Sequence, residues 1–181
     1  MKTSVSILLS ELQQRTSQHL EYAQTLLEKA ERELNFRNSQ DSWSSLECLE
    51  HLNRYGNFYI PEITNRIDGS KISPKDTFKP GILGNYFAKS MLPKENLNKM
   101  KTLKIMNPIH SQLNKTVIEK FISQQKQLLG LLEKAQNIDL EKTKTSISIS
   151  KLIKLKLGDT FRFVIYHNER HIEQIKRILT S

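Results

Sequence analysis

A single cysteine, Cys48, occurs in 181 residues, so no internal disulfide can staple this chain, and a reducing compartment is expected. Glycine and proline are almost as scarce, at six and five. Long runs rich in Leu, Ile, Lys, Glu and Gln therefore stay unbroken, a composition that favours helices. No apolar run approaches the roughly 20 residues needed to span a bilayer. At the N-terminus the apolar stretch is only Val5 to Leu9 before Glu11 and Arg15 intervene, which is too short for the h-region of a secretory signal. A cytoplasmic protein of one domain, residues 1–181, is expected, with no membrane association.

Acidic residues are also in deficit, with 19 Asp and Glu against 28 Lys and Arg, a net charge of +9. Residues 68–109 carry eight lysines against Asp68, Asp76 and Glu95, which is +5 of that excess. These lysines are dispersed, without an arginine cluster or interleaved aromatics. They describe a solvated surface better than a nucleic-acid recognition face.

Apolar residues at three- and four-residue steps predict four helices. The first covers residues 3 to about 35 through Leu8, Leu12, Leu20, Leu27 and Leu34. The second begins at Ser42 or Ser44, with Ser44 and Glu47 at capping-box spacing, and Gly56 and Pro61 mark its bend or early end. The third runs from about 110 to 136, and the fourth from about Leu157 to Leu179. An all-α four-helix bundle follows, with a long irregular connection at 68–109 between the second and third helices. That connection holds four of the five prolines, and Gly81 to Leu92 within it reads as a short helix or a packed loop. Ser146 to Leu157 alternates like a strand but has no evident partner, so an extended segment packing a few side chains is expected.

The fourth helix carries the chemistry. Steps of three and four join Val164, His167, His171, Ile175 and Ile178, which places two imidazoles on the core-facing stripe. Buried polar groups are costly without partners, and two imidazoles serve each other poorly. His51 on the second helix borders that helix's inward stripe. If the two helices are neighbours, three imidazoles converge, a donor set suited to zinc, nickel, copper or iron with a position left open. Glu47 is expected to cap, Cys48 to pack as a small core residue, and His19 and His110 to be structural or surface groups. Tyr55 and Tyr166 read as packing.

The stretch Trp43-Ser44…Glu50-His51-Leu52, with His167-x3-His171-x2-Gln174-Ile175, resembles the DinB-like (DinB/YfiT-like) superfamily. Lys156 to Phe163 also looks like that family's entry into its last helix. The resemblance implies a four-helix bundle with a divalent metal, zinc, nickel or iron, on His51, His167 and His171. Gln174 would stand behind the ligands. It further implies a bacterial, stress-related setting and a homodimer. Two activities fit: a metal-dependent transferase joining a small thiol to an electrophilic small molecule, or a hydrolase. The alternative is a non-catalytic dimeric module whose site is closed by Tyr86, Phe87 or the 68–109 segment.

Overall fold

Helical periodicity shapes most of the chain. The computed structural model describes residues 2–93 and 102–180, so Lys94, Glu95, Lys99 and Lys101 of the basic segment lie outside the described residues. Six α-helices occur among them: α1 (Val5–Leu26), α2 (Glu31–Leu34), α3 (Ser45–Asp68), α4 (Ile82–Met91), α5 (Thr116–Lys134) and α6 (Leu157–Leu179). Two short antiparallel pairs accompany them, β1 (Thr3–Ser4) with β2 (Thr77–Phe78) and β3 (Lys144–Ile147) with β4 (Ser150–Lys156). The architecture is mostly helical, in keeping with the all-α expectation. Both α1 and α3 pack against α5 and α6, so α3 and α6, the carriers of the candidate histidines, are neighbours. None of the described helices is long and apolar enough to cross a membrane.

Four local expectations are corrected. The predicted first helix stops at Leu26, because residues 27–30 turn and Ala30 is extended, before α2 resumes. Neither glycine nor proline signals this break. It is held by tertiary contacts: Lys115 Nζ donates to the Leu27 carbonyl at 2.6 Å, and Leu34 is fully buried. Conversely, α3 continues through Pro61 to Asp68. The buried side chains of Ile63 and Ile67 beyond the proline keep that segment on the core, and packing outweighs one missing hydrogen bond. The third predicted helix starts later, at Thr116. The alternating segment does have a strand partner, since β3 and β4 form a hairpin. Glu62 on α3 fixes that hairpin by accepting the Ser146 N–H at 2.7 Å.

The core consists of two apolar clusters. In sequence order, α1 passes from Leu12 to Ala23, α3 from Leu52 to Tyr59, α5 from Phe121 to Leu128 and α6 from Tyr166 to Ile172 as each leaves one cluster for the other. The crossover positions are buried polar residues, among them Thr16, His19, Asn53, Gln124, Gln125 and Asn168. Several satisfy one another across helices. Asn168 Nδ2 donates to Gln125 Oε1 at 3.1 Å, and Asn53 Nδ2 donates to the Val117 carbonyl at 2.9 Å. Gly56 is needed here, because a Cβ would lie 2.2 Å from Gln124 Oε1, an amide that also bonds Asn53 O and Asn57 Oδ1.

His19 makes this belt sensitive to acid. It is buried, and burial, reinforced by the charges of Arg15 and Lys176, lowers its pKa to about 3. In the unfolded chain it titrates near pH 6.5. Between those values the unfolded state holds the extra proton, so the contribution of neutral His19 is complete above about pH 6.5 and is lost as pH falls toward 3. Stability is expected to drop by about 2 kcal/mol from this group between pH 8 and pH 5. Urea unfolding of wild type and His19→Gln at both pH values measures it. The same acid sensitivity in the variant would assign the effect elsewhere.

Candidate metal centre

Two helices place the histidines. The first turn of α3 is fixed by a reciprocal cap in which Ser44 Oγ accepts the Glu47 N–H at 3.2 Å and Glu47 Oε2 accepts the Ser44 N–H at 2.8 Å. Arg37 donates twice more to the Glu47 carboxylate, at 2.7 and 2.8 Å. Burial alone would push that carboxyl up, but Arg37 and the Ser44 amide outweigh it and hold the group below its usual range. Glu47 is thus committed to the cap and stays outside the histidine cluster. Cys48, wholly buried, packs in the apolar core, where burial pushes its thiol up. Two turns after the cap, His51 enters the space facing α6.

On α6 the predicted stripe is buried throughout, from Phe161 and Val164 through His167 and His171 to Ile175 and Ile178. The structure brings His51, His167 and His171 together. Their exposures are 3%, 6% and 8%, and one ring nitrogen from each lies within 4.8 Å of the others. His167 Nε2 stands 3.2 Å from His51 Nε2 and 3.1 Å from His171 Nε2. The opposite edges of two rings are anchored. His51 Nδ1 meets the Met106 carbonyl at 2.7 Å, and His171 Nδ1 meets Gln174 Oε1 at 2.9 Å.

These anchors decide where the protons are. A carbonyl oxygen only accepts, so Nδ1 carries the hydrogen in both His51 and His171, and each Nε2 presents a lone pair. Those two lone pairs point at His167 Nε2, which has at most one proton in the neutral ring. At least one buried lone pair therefore lacks a hydrogen. Extra protons are resisted, since burial lowers the pKa of His51 to about 4 and of His171 to about 3. His167 is driven well below its ordinary value by burial and by its two neighbours. A cation is the complement of such a set. Imidazole nitrogens bound about 2.0–2.1 Å from a tetrahedral zinc lie roughly 3.3 Å apart, close to the 3.2 and 3.1 Å from His167 to its two neighbours, with all three nitrogens within 4.8 Å of one another. The residues present fit a divalent metal.

Aromatic rings line the cluster. Trp43 lies 4.7 Å from the His51 ring and 5.6 Å from His171. Tyr55 meets His167 edge-on at 4.7 Å, and Phe163 stacks on it at 5.8 Å. Tyr55 and Phe163 also pack against the adjacent core cluster. From the 68–109 segment it is Met106 and Asn107 that reach the site, Asn107 Oδ1 accepting the Trp43 indole N–H at 3.0 Å. Tyr86 is 67% exposed on α4. Tyr166 packs in the core with its hydroxyl toward Glu11, and His110 sits exposed at a left-handed turn.

Sequence reasoning missed Phe163, Arg54, Met106 and Asn107. Phe163 was detectable one helical turn before His167. Glu50 and Arg54 show as an i, i+4 pair, but nothing in the local sequence says that Arg54 holds backbone next to a histidine. A carbonyl acceptor such as that of Met106 has no side-chain signature at all.

A mostly helical chain with three neutral imidazoles converging in its interior defines a class of protein able to hold a divalent metal between helices. The particular family follows from comparison. The chain belongs to the DinB superfamily, whose family model matches residues 8–175. No curated protein and no solved structure matches it.

Proposed function

We propose that this protein binds a divalent metal ion through His51, His167 and His171, inside a four-helix bundle of α1, α3, α5 and α6 that makes residues 1–181 one domain. The observation that carries the reading is the pair of inward Nε2 lone pairs, fixed by Met106 and Gln174, beside a third imidazole. Zinc, nickel and iron all suit three imidazoles. A divalent ion there would lower the pKa of a coordinated water or thiol, supplying an ionised nucleophile near neutral pH. The chain's own part is to keep the imidazoles neutral by burial, to orient two of them through Nδ1, and to exclude water with Trp43, Tyr55 and Phe163.

Transfer of a small thiol to an electrophile, or hydrolysis, is the chemistry we favour. The cluster among the described residues contains histidines alone, so no ligand carboxylate offsets the ion's charge and an anionic partner such as thiolate or hydroxide is preferred. A homodimer in the cytoplasm belongs to the same reading. The near-complete burial of the three rings, with Met106 against His51, favours a second reading, a non-catalytic metal-binding module.

One series of measurements addresses both. Protein purified without an affinity tag is expected to contain, or to take up, about one divalent ion per chain by elemental analysis. Failure to load any ion overturns the reading. In cobalt-loaded protein, added small thiols are expected to change the visible spectrum. A spectrum indifferent to thiols and azide selects the closed module.

A further inference from the structure

Three consecutive backbone carbonyls at the end of the 68–109 connection are held by two side chains of α3. Arg54 Nη1 donates to Ile105 O and to Asn107 O, both at 3.1 Å. Between them, Met106 O accepts from His51 Nδ1 at 2.7 Å. His51 and Arg54 are three residues apart and so share one face of α3. Glu50, one turn before Arg54, aims the guanidinium through a 2.9 Å bond from Nε. The strap itself is a tight turn over Lys104–Met106, closed by the Met106 N–H donating to Leu103 O at 2.8 Å. Its apolar burial is limited to Met106 and to Pro108 just beyond the turn, for Leu103 and Ile105 are 43% and 78% exposed. The polar contacts from α3, with the Trp43–Asn107 bond, fix the backbone between and beside Met106 and Pro108.

We propose that Arg54 is a positioning residue for the metal centre, acting through the strap carbonyls to set the tautomer and orientation of His51. The inference rests on the metal reading above. Only with Met106 O in place is the His51 proton confined to Nδ1 and its Nε2 lone pair turned toward His167. Arg54 brackets that carbonyl by gripping the peptide units on either side. Metal binding and strap docking are consequently linked. An ion that requires the His51 lone pair stabilises the docked strap, and a loosened strap weakens the ion by the same factor. Loss of a partner that orients a ligand typically lowers metal affinity 10–100-fold.

Two readouts test this on the full chain with zinc as the probe. The first is zinc affinity by competition with a chromogenic chelator. Arg54→Ala is expected to weaken binding 10–100-fold, and Arg54→Lys, which keeps the charge but loses the fork that spans two carbonyls, to weaken it less. The second is hydrogen exchange at the Met106 and Asn107 amides, which close the turn. Zinc is expected to slow it at least tenfold in wild type and to have little effect in Arg54→Ala. A merely structural arginine would change the exchange rate without changing its response to zinc. Wild-type zinc affinity in a folded Arg54→Ala or Arg54→Lys overturns the proposal while leaving the histidine site standing. Absence of zinc binding by wild type removes both.

Discussion

His167→Ala is expected to abolish zinc loading and to erase the thermal stabilisation that zinc gives the wild type. His167 is the middle member of the cluster, with Nε2 3.2 Å from that of His51 and 3.1 Å from that of His171. Its removal leaves two nitrogens and no third donor, since the described cluster has no other member. An ion that binds only the native state stabilises it by about 4 kcal/mol at a thousandfold excess over Kd. For a chain of this size that corresponds to a rise on the order of 10 °C in Tm. Without zinc the substitution should itself cost some stability, because it opens a cavity and removes the one N–H within reach of the two Nε2 lone pairs, so the quantity compared is the zinc-induced shift within each protein. Scanning calorimetry with and without zinc measures the difference. A zinc-dependent rise that survives in His167→Ala would mean that the ion binds elsewhere.

The same cluster shows what was readable in the sequence. The α6 boundaries and the placement of His167 and His171 on its buried stripe follow from a 3.6-residue period, which depends only on the order of side chains. His51 was legible as a residue bordering the inward stripe of its own helix, and the family resemblance joined it to the other two. Glu47 was legible because a capping box is a local pattern. The break after Leu26 was not, because Lys115 and the burial of Leu34 impose it from a distance. The β3–β4 pairing was hidden in the same way, for its anchor is Glu62 on α3. Nor did any pattern show that the Met106 carbonyl would meet His51, since every residue has a carbonyl and only the fold selects one. The parts read correctly rest on periodicity and short motifs, and the parts missed rest on backbone groups and contacts distant in sequence.

Arg162→Ala is expected to be among the most destabilising single substitutions in the chain, at about 3–5 kcal/mol, or a fall in Tm of roughly 10 °C. Its partner Asp159 has no solvent exposure. Asp159 Oδ1 accepts from Arg162 Nη1 at 3.0 Å, and Oδ2 accepts the Gly81 N–H at 2.7 Å. Arg162 Nη2 also donates to Asn85 Oδ1 on α4 at 3.0 Å. The pair thus ties the start of α6 to α4, and Gly84 permits the approach, since a Cβ there would come within 2.5 Å of the Asp159 side chain. Burial already raises the Asp159 pKa despite the opposing pull of the Gly81 amide and Arg162. With the arginine gone, the carboxylate must stay charged beside one remaining N–H or take up a proton. A group with a raised folded pKa loses stability as pH rises through that value, so the deficit of Arg162→Ala should shrink as pH is lowered toward the carboxylate range. Adding Asp159→Asn removes the stranded charge and should recover part of the loss at pH 8. A pH-independent deficit of the same size in single and double variants would locate the cost in lost packing of the arginine stem instead of in the isolated carboxylate.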